Sequence, residues 1–249
     1  MQRVAVRAVS PAGELLSAHW LQHGARPQDL VEVRPGQSRV LREVGSQVVE
    51  LERLGLRVHE LALDFEVSDP EHPAGPALYH RPPPDDLIDH LDERPDPAGR
   101  RSVVKVQRTG AYAVVVDGPN VLLTRLARTA VWTLPGGGVD FGEHPQDAVR
   151  REVHEEAGLA LSGVRLLEVD SDHWTGRAPY GRLEDFHAVR ILYGATAPGG
   201  TQPAVVEVGG STDAVAWVPI DTLASLELGG TVRLAAPYLP GAPRLQRSP

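Results

Sequence analysis

Residues 137–159 read Gly-Gly-Val-Asp-Phe-Gly-Glu-His-Pro-Gln-Asp-Ala-Val-Arg-Arg-Glu-Val-His-Glu-Glu-Ala-Gly-Leu, and the rest of the chain is organised around them. Pro145 suits the first turn of a helix, where its missing N–H is not needed. Gly158 stands where a helix ends in a left-handed cap. The spacing therefore predicts a helix over 145–157. At about 100° per residue, Glu152, Glu155 and Glu156 share an arc of about 100°. Ala148 lies in the same arc and is too small to cover it. Val149, Val153 and Ala157 form the adjoining stripe, which predicts packing on a sheet. A charge run is ordinarily a solvated face. Three crowded carboxylates, however, repel one another and raise each other's pKa unless a cation sits among them. Oxygen-only donors of this kind suit Mg2+ or Mn2+. Glycines 136–138 leave backbone carbonyls and N–H groups free to approach a metal or a diphosphate.

The chain has 249 residues, enough for one large domain or two small ones, and its 41% hydrophobic content supplies a core. No apolar run approaches the roughly 18 residues of a membrane span. The stretch that opens Met-Gln-Arg-Val-Ala-Val-Arg lacks the apolar region of a signal peptide. Cysteine is absent, which excludes disulfides, thiolate zinc sites and cysteine nucleophiles. A cytoplasmic location is expected on these grounds. The net charge of −8 argues against a general nucleic-acid binder, so neither a nucleic acid nor a membrane is expected as partner. Lys105 is the single lysine, which leaves arginine as nearly the sole phosphate-binding cation.

Residues 1–68 read as a small α/β unit. Val4, Val6 and Ala8 alternate as in a strand. A short helix is expected over 14–21 and a strand over 30–33. Ser38 is a candidate N-cap for a helix to residue 54, with Val40, Leu41, Val44, Val48 and Leu51 at helical spacing. Leu61, Leu63, Phe65 and Val67 alternate as a half-buried strand. His19 and His23 stand four apart with no third ligand at a telling spacing, and read as ordinary histidines. Residues 69–101 are proline-rich, with one helical stretch at 85–93, and read as a semi-rigid linker. From Val103 the pattern is denser. Strands are expected over 111–116 and 121–126, joined by Asp117-Gly118-Pro119-Asn120. Further strands are expected over 164–169, 186–193 and 214–218, a polar loop over 170–182 and a mobile loop over 197–212. Helical segments are expected near 220–226 and 231–238.

The fixed points Gly137, Glu143, Arg151, Glu152, Val153, Glu155, Glu156, Gly158 and Leu159 resemble the Nudix box, G-x5-E-x7-R-E-U-x-E-E-x-G-U with U aliphatic, at every position. Such a pattern matches by chance about once in 10⁹ starts. The element order after the linker is similar to the Nudix fold as well. The resemblance implies an α/β/α sandwich with a mixed sheet, over 102–240; the small α/β accessory domain at 1–68 does not belong to that pattern, and a tail follows at 241–249. It implies metal-dependent hydrolysis of a pyrophosphate linkage in a nucleoside diphosphate joined to another group. Glu152, Glu155 and Glu156 would supply the metal ligands or the base, the Gly136 carbonyl a further ligand, and Arg151 would orient a glutamate by a charge-assisted hydrogen bond. Glu143 would steady the loop and helix.

Members of the family often bring another carboxylate from a later loop or strand, for which Glu184, Asp185 and Glu207 are candidates. Arg125 and Arg128 are candidates for phosphate contact. Trp174 and Tyr180 are candidates for stacking on a base, and His173 and His187 for proton transfer. The missing cysteines rule against the zinc-binding NADH pyrophosphatase branch and against isopentenyl diphosphate isomerases. Pro179 lies late for the proline that marks many ADP-ribose hydrolases, so the nucleotide-type substrate stays open. A non-catalytic nucleotide sensor or scaffold is the alternative, against which the intact acidic trio speaks. Residues 1–101 are expected to shape substrate choice or a homodimer and to supply no catalytic metal ligand.

Overall fold

The computed structural model describes residues 1–33, 37–51, 55–68, 103–177, 183–207 and 209–245. The proline-rich stretch with its expected helix, Pro179, Tyr180 and the last residues of the tail lie outside them. The chain divides into two compact units. One comprises Met1–Arg108 and Val169–Val189, the other Thr109–Glu168 and Arg190–Pro249.

The first unit holds a four-stranded sheet, ordered β2-β1-β4-β3, of β1 (Gln2–Val9), β2 (Leu15–Trp20), β3 (Ser38–Leu51) and β4 (Leu56–Ser68). β1 and β4 run parallel, from Gln2 opposite His59 to Val9 opposite Glu66. Two buried carboxylates of the sheet are paired. Asp64 takes both oxygens to the Arg7 guanidinium, and Glu60 accepts from the Gln47 amide at 3.0 Å.

Both helices expected here are strands instead. β2 replaces the helix over 14–21, and β3 replaces the helix over 38–54. The helical spacing in β3 is misleading because a bulge between Leu41 and Glu43 shifts the strand's phase. The β-branched Val40, Val44, Val48 and Val49 fit an extended chain, and the long ladder to β4 decides the matter. A 3-10 turn at Pro27–Leu30 stands before residues 31–33, which join no strand.

The second sheet is ordered β11-β6-β5-β10-β9. Its strands are β5 (Val104–Asp117), β6 (Asn120–Leu126), β9 (Ser162–Arg177), β10 (Leu183–Thr196) and β11 (Thr212–Pro219). Two short strands, β7 (Trp132–Thr133) and β8 (Gly136–Gly138), pair with β6 and β5. Residues 104–108, 169–177 and 183–189 of these strands belong to the first unit. The expected polar loop over 170–182 is thus mostly strand. Its polar residues find partners on the N-terminal segment. Gln28 donates to the Val169 carbonyl, Arg26 pairs with Asp170 at 3.1 Å, and Ser171 donates to the Ala25 carbonyl at 3.1 Å.

The second unit is the expected α/β sandwich around a mixed sheet. Val114, Val121, Leu123, Leu192 and Val218 meet Ile220, Leu223, Val232, Ala235 and Leu239 of the C-terminal segments in one buried cluster. Those segments are a 3-10 helix at Ile220–Ser225, α2 (Gly230–Ala235) and a 3-10 turn at Ala236–Tyr238. Ala113 and Val115, buried at alternate positions, face the other side of β5. The remaining helix, α1 (Pro145–Ala157), buries Ala148, Val149, Val153 and Ala157 completely. Among the described residues no helix is long and apolar enough to cross a membrane.

Candidate functional site

Helix α1 carries the acidic residues, and both of its ends are built as the sequence predicts. Pro145 opens it, and the His144 ring accepts from the Gln146 N–H at 3.1 Å. Gly158 closes it at φ 67°, its N–H bonded to the His154 carbonyl. The loop after β10, expected to be mobile, is tied to the helix end at residues 204–207. Ala204 N–H donates to Ala157 O, while Val206 and Glu207 N–H donate to Glu155 O at 3.1 and 2.9 Å. These bonds satisfy carbonyls that a helix end would otherwise leave bare.

Arg151 ties the carboxylates together. Its Nε and Nη2 grip Glu143 at 2.9 and 3.0 Å. Its Nη1 donates to Glu152 at 2.8 Å and Glu155 at 3.2 Å, and Nη2 also reaches the Gly138 carbonyl at 3.0 Å. Glu143 accepts in addition from the Asp140 N–H at 2.9 Å, which fixes the turn before the helix. The Arg151 pKa is raised, chiefly by the bond to Glu143.

Glu156 is placed differently. It is only 5% exposed. One carboxylate oxygen accepts from the Gly136 N–H at 2.9 Å and the other from the Thr212 hydroxyl at 2.5 Å. Burial raises the pKa of Glu156, with Glu152 and Glu207 pushing the same way against those two hydrogen bonds. Burial likewise raises Glu152, opposed by Arg151. Two carboxyls held above their ordinary range by desolvation and mutual repulsion are groups that a divalent cation would restore to full charge. The donors are all oxygen, which fits Mg2+ or Mn2+ better than softer ions.

The glycine turn is shaped by close approach. A Cβ on Gly137 would lie 2.6 Å from the Glu152 carboxylate. Gly136 has φ 141° and its absent Cβ would run into the β5 backbone at Ala111 and Tyr112. Backbone and carboxylates therefore share one small space, with Gly136 beside Glu156 and Gly137 beside Glu152.

The structure brings Glu143, Arg151, Glu152, Glu155, Glu156, Gly136 and the exposed Glu207 into this neighbourhood. Thr212, at the start of β11, was not foreseen; one threonine opening a strand leaves no spacing to read. Arg125 instead pairs with Asp213 at 2.9 Å and lies over the Trp132 ring. Arg128 is exposed in the turn after β6. Trp174, Glu184 and Asp185 belong to the first unit. There Trp174 packs on Phe186, Glu184 is buried, and Asp185 contacts His23 and His173. Tyr180 is outside the described residues.

A helix bearing several glutamates around one arginine, closed by a glycine and set against a glycine turn, defines an acidic site for cation and phosphate chemistry. The family model for the NUDIX domain matches residues 106–238, more than half of the chain. The chain belongs to the Nudix family. It is similar to an RNA pyrophosphohydrolase of Ruthia magnifica subsp. Calyptogena magnifica, 43% identical over 51 residues, which is 20% of this chain and 28% of that protein. An RNA pyrophosphohydrolase of Aliivibrio fischeri (strain MJ11) is 49% identical over 43 residues, 17% of this chain and 25% of the relative. The chain spans about a quarter of the length of these curated relatives. Among solved structures, a MutT NUDIX hydrolase from Burkholderia pseudomallei is 34% identical, with 52% of this chain and 95% of that one covered and a TM-score of 0.43.

Proposed function

We propose that this chain is a divalent-metal-dependent hydrolase of a pyrophosphate linkage in a nucleotide-type small molecule. The observation that carries the reading is the paired environment of the box glutamates. Arg151 holds Glu152 and Glu155, while the Gly136 N–H and Thr212 hydroxyl hold the buried Glu156. Glu152, Glu155 and Glu156, with the Gly136 carbonyl, would hold Mg2+ or Mn2+. When bound, such an ion neutralises charge developing on the phosphates and makes water a better nucleophile. The chain's own residues do the positioning. Arg151 fixes the rotamers of two glutamates and is itself locked by Glu143. One carboxylate of the trio takes the proton of the attacking water. The reading carries with it a cytoplasmic setting and an accessory role for residues 1–68 in substrate choice or dimer formation.

The test is a screen of nucleoside diphosphate derivatives and triphosphate-ended RNA with Mg2+ and with Mn2+, reading released phosphate or nucleotide. The RNA arm is included because of the relatives' names, although the net charge of −8 offers no basic footprint. Turnover should vanish on exhaustive chelation and return with either ion. Turnover that survives chelation would refute the metal mechanism.

A further inference from the structure

Within the first unit, three imidazoles and a carboxylate converge. His173 Nε2 meets one oxygen of Asp185 at 2.5 Å, and His23 Nε2 lies 3.4 Å from the other. The His23 and His173 rings are edge-on with centroids 5.1 Å apart. His187 closes the group at 5.4 Å from His23 and 6.3 Å from His173. One donor atom from each of His23, His173 and Asp185 falls within 4.8 Å of the others.

We propose that His23, His173 and Asp185 form a binding site for a divalent transition-metal ion of the zinc type. Donors on a tetrahedral zinc at about 2.0–2.1 Å stand about 3.3 Å from one another. His23 Nε2 and Asp185 Oδ2 already have that spacing. A plain hydrogen-bonded cluster explains the short contact of Asp185 with His173. His23 Nε2, by contrast, is buried with no hydrogen-bond partner and only a loose ion pair to the same carboxylate at 3.4 Å, which leaves its lone pair for a metal. Binding requires the His173–Asp185 pair to open by about 1 Å and the widest donor pair, within 4.8 Å, to draw in toward about 3.3 Å. Lys105 lies near enough to His23 to oppose added positive charge, and the Asp185 carboxylate offsets it.

The surroundings hold the donors in place. His187 is wholly buried, and the Gln107 amide nitrogen lies 3.0 Å from its Nδ1, so its ring forms a fixed wall beside His23. Gly24, at φ 80°, lets the chain turn sharply just after His23. Two imidazoles and a carboxylate prefer Zn2+, Co2+ or Ni2+ to Mg2+, so the site differs in chemistry from the all-oxygen box. Three protein ligands leave a coordination position for water or another ligand. The ion would also clip the N-terminal segment to β9 and β10, so binding should stabilise the fold by mass action.

The experiment is Zn2+ titration of the full chain by calorimetry in excess Mg2+, with Co2+ absorption spectra and thermal melts alongside. One equivalent of Zn2+ should bind, Co2+ should show visible bands of nitrogen ligation, and Zn2+ should raise the Tm by several degrees. His173→Ala and Asp185→Asn should each weaken Zn2+ binding by at least about 10–100-fold and abolish the Tm rise. His173 is exposed, so its loss leaves the fold intact. Glu156→Gln should leave Zn2+ binding unchanged. No Zn2+ binding in excess Mg2+ would overturn the proposal. So would binding that is lost in Glu156→Gln yet kept in His173→Ala, because the ion would then sit on the box. Failure of the hydrolase reading leaves these outcomes unaffected, since none of them reads turnover.

Discussion

Glu156 and Gly137 show how closely single atoms are fitted at the box. Glu156→Gln keeps the size of the side chain and removes a charge from the candidate metal site. The Thr212 hydroxyl can turn to accept from the new amide, and the Gly136 N–H can still donate to the remaining oxygen. The fold should therefore survive by circular dichroism, while kcat on the preferred substrate falls about 10²–10⁴-fold. A variant with the normal rate would remove Glu156 from the catalytic set. Gly137→Ala is the complementary change. Its new Cβ would lie 2.6 Å from the Glu152 carboxylate and must push it aside. Kinetics and a melt of the same preparation should show a large loss of kcat with little change in Tm. A normal kcat would mean that the Glu152 position is immaterial.

At the scale of elements, the box helix depends on its C-terminus, where Gly158 ends the turn and the loop after β10 docks. Gly158→Ala forces a left-handed conformation on a residue with a Cβ, which costs about 1–2 kcal/mol. The added carbon would also sit 3.2 Å from both the Ala204 carbonyl and the Val206 side chain. A Tm lower by about 2–8 °C is expected for a chain of this size. The same substitution should loosen residues 204–207, seen as faster amide exchange at Val206 and Glu207, whose N–H groups bond Glu155 O. Unchanged exchange there would show that the loop is held by something other than the helix end. The helix itself was legible in the sequence, because Pro145 and Gly158 are local signals whose effect needs no partner. β3 was not legible, because its bulge scrambles the alternation and its pairing with β4 is non-local.

At the scale of the whole molecule, the N-terminal residues reach far along the chain. Arg26, Gln28 and Ala25 bond Asp170, Val169 and Ser171, and His23 faces Asp185. A fragment beginning near Arg101 loses all of these partners. We expect it to keep Mg2+ binding by calorimetry, since Glu152, Glu155, Glu156 and Gly136 remain. We expect it to melt at lower temperature and to aggregate more readily, because buried strand residues such as Val169 lose their cover. A folded fragment unable to bind Mg2+ would mean that residues 1–101 complete the box site.

The sequence by itself determined the family, the capped helix, the acidic trio and the β5–β6 hairpin. Each rests on residues within a few turns of one another, so spacing alone specifies it. Only the tertiary structure decided that Glu156 is buried against Thr212, that Arg125 pairs with Asp213, and that His23 lies against Asp185, His173 and His187. Those pairings join positions far apart in the chain, and β pairing sets them through a register that no local periodicity encodes.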